Sequence, residues 1–128
     1  MKSDPIAARS RDLTTARWQR LHLQVRCALK AEEPARIRRY LHTGLQLVRS
    51  GTRPAVPVHM RMLQMLLRTA QYEALPSFWR SACLEHVNLP LAQLASHLGL
   101  HDPLVMQAIE CAVQRARDQR PDSPSRMA

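Results

Sequence analysis

Aromatic residues and glycines are scarce in this sequence. Phe, Trp and Tyr together make up 4% of the 128 residues, and the chain has three glycines. Sheets favour aromatic and β-branched residues, whereas the apolar positions here are mostly Leu, Ala, Val and Met, which suit packed helices. The alternating apolar pattern of a strand is also missing. We therefore predict an all-α fold, a compact bundle of about five to six helices.

Long hydrophobic runs are absent as well. The opening residues MKSDPIAARSRD lack the apolar core of a secretory signal, and no run of roughly 18 uncharged apolar residues is long enough to cross a bilayer. We expect a soluble, cytoplasmic protein with no membrane partner. The three cysteines, Cys27, Cys83 and Cys111, fall within apolar helical patterns. Their odd number and placement predict buried, reduced thiols without a disulfide.

Basic residues outnumber acidic ones, and the excess of basic residues lies in the N-terminal half of the chain. The chain has 10 Asp and Glu against 19 Lys and Arg, a net charge of +9, and 17 of the 19 are Arg. Residues 1–70 contain 14 basic and 4 acidic residues, whereas residues 71–128 contain 5 and 6. The guanidinium is always charged and suits phosphate and carboxylate partners. The N-terminal half is therefore expected to face a polyanion.

The apolar pattern divides the chain into three parts. Residues 1–11 and 120–128 are polar and rich in Pro, Ser and Arg, so we expect a disordered arm and a disordered tail around one helical domain at 12–119. Helical spacing predicts segments at about 12–31, from Pro34 to Gly51, and at about 58–71, 75–86 and 91–119, the last holding two helices. GTRPAVP is the clearest linker. VHMRMLQMLLRTAQ is apolar nearly all round and is predicted to be the buried centre. In the first segment the expected inward stripe is Trp18, Leu21, Val25, Ala28 and Leu29.

Basic residues on or beside the first three helices are candidate contacts to a phosphate backbone. They are Arg17, Arg20, Arg26, Lys30, Arg36, Arg38, Arg39, Arg49, Arg53, Arg61 and Arg68. The alternative is an ordinary solvated helix face, because helices expose charge opposite their apolar stripe. The aromatic residues Trp18, Tyr40, Phe78 and Trp79 sit in apolar patterns and are assigned to the core, so stacking on bases is not expected.

Residues 91–110, LAQLASHLGLHDPLVMQAIE, resemble the helix-turn-helix of bacterial DNA-binding proteins. The small Ala95, the turn residue Gly99 and Val105 carry the resemblance, with Leu94, Leu98 and Ala108 at the other inward positions. Asp102 would cap the second helix, Pro103 would start it, and Gly99 would take a positive φ. The DNA-facing side chains would then be His101, Asp102, Pro103, Met106, Gln107 and Glu110. Of these Gln107 alone is a good base reader, and a packed helical hairpin is the alternative.

Two further patterns are weaker. Tyr72, Ala74, Phe78 and Ala82 loosely resemble the turn and second helix of a tetratricopeptide unit, although no 34-residue period recurs. Cys83, His86, His97 and His101 have a spacing near that of structural zinc sites. They offer one thiolate where such sites usually take two or more. We therefore expect no metal and no cofactor.

The functional expectation follows from charge rather than from catalytic motifs. Paired carboxylates, a glycine-rich phosphate loop and a nucleophile motif are all missing, so an enzyme is not expected. We predict a small basic nucleic-acid-binding protein, either a DNA-binding regulator or a small subunit of a ribonucleoprotein complex, with protein partners or self-association. The alternative is a tetratricopeptide-like adaptor or chaperone that binds an acidic protein partner.

Overall fold

The computed structural model describes residues 5–29 and 31–120, and the regular secondary structure of this part of the chain consists of six helices joined by short turns. The helices are α1 (Pro5–Arg26), α2 (Ala35–Arg49), α3 (Ala55–Gln71), α4 (Ser77–Glu85), α5 (Asn88–Leu98) and α6 (Pro103–Asp118). No strand occurs among the described residues. The predicted all-α class and the helix number are confirmed.

The helices pack as successive hairpins around α3. The helix α1 packs on α2, α3 on α4, and α5 on α6, while α3 also contacts α1, α2, α5 and α6. In the first hairpin Ser10 lies beside Gln46 whereas Gln24 meets Arg36, so α1 and α2 run antiparallel. The prediction that the third segment is the buried centre is confirmed.

The core gathers one face of each helix against α3. Met62, Leu63 and Leu66 of α3 are almost fully buried. Arg61, Gln64 and Arg68 form the exposed side of the same helix. The segment is therefore not apolar all round: a polar stripe remains, and it faces outward because α3 has neighbours on its other sides only.

Two polar contacts in the interior tie α4 to the rest. The indole Nε1 of Trp79 donates a 2.9 Å hydrogen bond to the Val25 carbonyl at the end of α1. The buried Arg80 donates through Nε to the Ala70 carbonyl at the end of α3, at 2.8 Å. Since buried polar groups are costly without partners, these bonds fix α4 against α1 and α3.

Gly44 lets three helices approach closely. A Cβ at this position would lie 2.5 Å from Met62 Sδ and 2.9 Å from Trp18 Nε1. A glycine in the middle of α2 costs helix stability relative to alanine. Here it leaves the space into which Met62 of α3 and Trp18 of α1 pack.

The first helix differs from the sequence prediction at both ends. The helix α1 begins at Pro5 rather than near residue 12, so residues 5–11 belong to the helix and not to a separate arm. Proline is well tolerated in a first turn, and no glycine or further proline interrupts the residues that follow. The helix ends at Arg26, and Ala28 has φ 51°, which turns Leu29 outward instead of into the core. Residues 1–4 and 121–128 lie outside the described residues.

Other boundaries agree more closely. Gly51 has φ +75° directly after α2, as expected for a glycine that ends a helix. The expected linker GTRPAVP is shorter in the structure, because α3 already begins at Ala55.

Several residues assigned to the core are on the surface. Phe78 is 58% exposed, because α4 is short and buries only the face that carries Trp79, Arg80, Cys83 and Leu84. Cys27 and Cys111 are exposed, so the expectation of three buried thiols holds for Cys83 alone. Burial raises the pKa of the Cys83 thiol to about 12. The placement of Trp18, Tyr40 and Trp79 in the core is confirmed.

The hairpin of α5 and α6 packs in a register different from the expected one. The inward residues of α6 are Met106, Ile109, Val113 and Ala116. The expected inward positions Ala95, Val105 and Ala108 are exposed, and Met106, expected to face DNA, is buried. The buried face of α6 is its strongest apolar stripe. This stripe is rotated about the helix axis from the face that the helix-turn-helix resemblance predicts to be buried.

Gly99 and Asp102 also depart from expectation. Gly99 has φ −55° and ψ −38°, an ordinary helical conformation and not a positive φ. Its lack of a side chain matters for another reason, since a Cβ would lie 2.6 Å from the Ala95 carbonyl oxygen. Asp102 occupies the N-cap position of α6 without a side-chain capping bond, whereas Pro103 starts the helix as predicted.

Candidate nucleic-acid interface

Four arginines converge between the first two helices. Arg17 and Arg20 of α1 and Arg36 and Arg39 of α2 line one open groove, together with Gln24. The antiparallel packing of the hairpin brings these side chains together although they are up to 22 positions apart in sequence. We call this the α1–α2 groove.

One arginine of this groove is held in place. Arg36 Nε lies 2.8 Å from Glu33 Oε2, and its Nη1 donates a hydrogen bond to the side-chain oxygen of Gln24. Arg36 is thus oriented by α1 and by the turn before α2. Part of its charge is offset by Glu33, so Arg17, Arg20 and Arg39 carry most of the uncompensated charge in the groove.

A second basic groove lies on the other side of α1. Arg26 of α1 and Arg61 and Arg68 of α3 line it, with His22 and Gln64 between them. Arg61, Gln64 and Arg68 come from the exposed stripe of α3. We call this the α1–α3 groove.

Trp18 supports the basic residues at one end of this second groove. The Arg53 and Arg61 guanidinium carbons lie 5.7 and 5.6 Å from the centroid of the Trp18 ring, within cation–π range. Trp18 is 2% exposed and stacks on Tyr40 with centroids 5.9 Å apart. Two surface cations therefore rest on a rigid aromatic pair, which limits their freedom before any ligand binds.

Carboxylates neutralise little of this surface. Between described residues the ion pairs are Arg36 with Glu33 and Arg120 with Glu85. No ion pair to another described residue is formed by Arg17 or Arg20, or by the three arginines of the α1–α3 groove. Both grooves thus present positive charge to solvent.

His22 is a titratable group inside the α1–α3 groove. Partial burial, and next the nearby Arg61 and Arg26 charges, lower the pKa of His22 below its ordinary value. Its Nδ1 and the Tyr40 hydroxyl share a 2.9 Å hydrogen bond. Burial raises the pKa of Tyr40, so the phenol keeps its proton. His22 has no recognisable signal in the sequence, because its environment depends on neighbours from α2 and α3.

An exposed aromatic ring adjoins the same groove. Tyr72, the C-cap residue directly after α3, is 49% exposed, and the Arg26 guanidinium lies over its ring at 5.0 Å from the centroid. In the sequence, Tyr72 resembles a residue of a tetratricopeptide turn and has no evident connection with the basic surface. Its proximity to Arg26 depends on how α1 packs beside the end of α3.

The remaining predicted contacts do not join the two grooves. Arg38 is exposed on α2 away from both, and Arg49 lies near Ser10 and Arg11 at the far end of the first hairpin. Lys30 lies outside the described residues. Gln107 is exposed on α6, which belongs to the other half of the chain. The structure therefore divides the predicted arginines of α1, α2 and α3 into separate groups.

The buried His59 of α3 and the exposed His97 of α5 form a histidine pair between these two helices. His59 is 1% exposed, and its ring is 6.3 Å from that of His97, nearly parallel to it. Neither ring nitrogen of His59 has a hydrogen-bond partner among the described residues. Burial and then the neighbouring His97 lower the pKa of His59. In the part of the chain that the structure describes, no group of three or more His, Cys, Asp or Glu side chains is arranged to hold a metal.

Comparisons with protein-family models, with curated proteins and with solved structures give no match to this chain. Among the helices within residues 5–29 and 31–120, none has both the length and the apolar character of a membrane span.

Proposed function

We propose that this protein binds nucleic acid through the phosphate backbone, using the two arginine grooves on either side of α1. The observation that carries the proposal is the convergence of Arg17, Arg20 and Arg39 in one groove and of Arg26, Arg61 and Arg68 in the other, without ion pairs to described carboxylates. We propose that it acts in the cytoplasm, as a DNA-binding regulator or as a small subunit of a ribonucleoprotein complex.

The chemistry of the grooves favours phosphate. Guanidinium groups form charge-assisted, often bidentate hydrogen bonds with phosphate oxygens. Such contacts release counterions and are independent of base sequence. Glutamines interleaved with the arginines, Gln24 and Gln64, add neutral donors that suit phosphate and sugar oxygens.

The test compares groove variants with a charge-matched control. Arg17, Arg20 and Arg39 are changed together to Gln in one variant, and Arg26, Arg61 and Arg68 in another. The control changes Arg9, Arg38 and Arg115, three exposed arginines that line neither groove. Affinity for a labelled DNA duplex, a DNA single strand and an RNA single strand is measured by fluorescence anisotropy. We expect each groove variant to lose at least about tenfold in affinity and the control much less. Equal losses in all three variants would mean that net charge alone governs binding.

A second candidate is an adaptor or chaperone that binds an acidic protein partner. One observation favours it: the three consecutive hairpins place α3 between α1 and α5, the order in which stacked helical repeats pack. The two functions differ in the competitor that displaces a labelled ligand. A nucleic-acid-binding protein loses labelled oligonucleotide to unlabelled DNA or RNA far more readily than to polyglutamate of equal charge. The reverse order would favour the adaptor.

A further inference from the structure

We propose that Tyr72, backed by Arg26, is a stacking platform for one base at the end of the α1–α3 groove, which makes the groove a site for single-stranded nucleic acid. This inference rests on the proposed function, because it requires the arginines of the same groove to hold the adjoining phosphates.

The platform is suggested by the way Tyr72 is held. Arg26 lies over the ring at 5.0 Å from its centroid, yet about half of the side chain remains exposed. An exposed tyrosine usually turns freely about its side-chain bonds, whereas a guanidinium held over one face limits that motion. A base that stacks on the accessible surface would thus meet a ring already ordered and polarised by a cation.

The position of the ring matches the direction of the groove. Arg61 and Arg68 are seven residues apart, two turns on one side of α3, and Tyr72 is the C-cap residue directly after Gln71 at the end of the helix. At 1.5 Å of rise per residue, Arg61 and Arg68 are about 10 Å apart along the axis. Arg26, which lines the same groove, contacts the Tyr72 ring beyond the end of the helix. The groove therefore offers a row of cations that ends at an aromatic ring, the combination by which proteins hold single strands.

The same geometry disfavours a duplex as the ligand that uses the ring. Bases within a duplex are stacked on each other, so their faces are not free to meet a side chain, whereas unpaired bases can be splayed out onto aromatic rings. The aromatic residues Trp18, Tyr40 and Trp79 are buried and offer no face to a base. Phe78 is exposed on α4 but lines neither arginine groove, which makes it the natural control.

The experiment uses the full chain and three fluorescein-labelled probes. They are a 12-nucleotide oligothymidine, a strand of equal length in which the central bases are replaced by abasic sites, and a 12-base-pair duplex. The protein is tested as wild type and as Tyr72→Leu, Tyr72→Phe and Phe78→Leu, each checked for an unchanged thermal transition. Polyglutamate serves as a competitor without bases.

We expect Tyr72→Leu to weaken binding of oligothymidine by between about fivefold and about a hundredfold, the range of one base–aromatic stack. Tyr72→Phe keeps the ring and should bind like the wild type, as should Phe78→Leu. Binding of the abasic strand should be weaker at the outset and insensitive to Tyr72→Leu. The duplex should likewise show no dependence on Tyr72.

Other results separate the inference from the function on which it rests. If oligothymidine and the abasic strand bind equally well, or if Tyr72→Leu and Phe78→Leu have the same effect, the stacking platform is refuted while phosphate binding stands. If polyglutamate displaces oligothymidine as well as unlabelled oligothymidine does, the groove recognises charge alone and the platform is likewise refuted. If none of the three probes binds, both the platform and the proposed function fall.

Discussion

Replacing Gly44 with alanine should destabilise the protein, although alanine is the better helix former. The substitution adds one methyl group to the middle of α2. In the structure that carbon would lie 2.5 Å from Met62 Sδ, 3.0 Å from Met62 Cε and 2.9 Å from Trp18 Nε1. Both neighbours are buried and cannot turn aside into solvent.

The magnitude follows from two opposing effects. Overpacking a buried contact of this kind costs about 1–3 kcal/mol. Exchanging glycine for alanine within a helix returns about 1 kcal/mol. We therefore expect a net loss of up to about 2 kcal/mol, a decrease of up to about 8 °C in Tm for a domain of this size.

The assay is urea unfolding of four proteins: the wild type, Gly44→Ala, Met62→Ala and the double variant. Met62→Ala removes the nearer of the two side chains that the new methyl group would meet, so in that background Gly44→Ala should cost less, with the contact to Trp18 Nε1 remaining. The coupling between the two sites should reach at least about 1 kcal/mol. If Gly44→Ala alone raises stability, the three helices do not cross as closely as described and the reasoning is refuted.

Three other outcomes can be measured on the same protein. The pKa of His59 is lowered in the folded state, so its contribution to stability is complete above the unfolded value of about 6.5 and declines as pH falls below that value. His59→Leu should flatten this decline in unfolding curves measured between pH 7.5 and pH 5. An unchanged pH dependence of stability in the variant would show that His59 does not cause the decline. Gly99→Ala should lower stability by about 1 kcal/mol because its Cβ meets the Ala95 carbonyl oxygen at 2.6 Å, whereas a gain in Tm would show that this contact is absent. Gln107→Ala should leave every nucleic-acid affinity unchanged, since this exposed residue of α6 lines neither arginine groove. A loss of about 1–3 kcal/mol at one base pair of a selected site would instead support DNA reading by α6.

Local sequence signals predicted those parts of the fold that depend on a single helix. The apolar stripe around Met62 and Leu66 identified α3 as the buried centre, and Gly51 marked the end of α2, because both properties are set by neighbours within a few residues. The uneven distribution of arginine likewise identified the helices that carry the basic surface.

Features that depend on how helices meet were not predictable in the same way. Phe78 follows a helical pattern, but α4 has too few residues to bury more than one face, and the pattern alone does not say which. Gly99 was expected to need a positive φ and instead avoids a contact within a helical turn. Tyr72 gains its importance from Arg26 of a different helix, and the sequence contains no signal for that pairing.

The salt dependence of binding tests the central claim most directly. Affinity for the 12-nucleotide oligothymidine is measured at several NaCl concentrations for the wild type and for the variant in which Arg26, Arg61 and Arg68 are glutamine. Each phosphate contact on a single strand contributes about 0.7 to the slope of log affinity against log salt, so the variant should have a slope smaller in magnitude by about 2. A wild-type slope near zero, or the same slope in both proteins, would contradict phosphate binding by the α1–α3 groove.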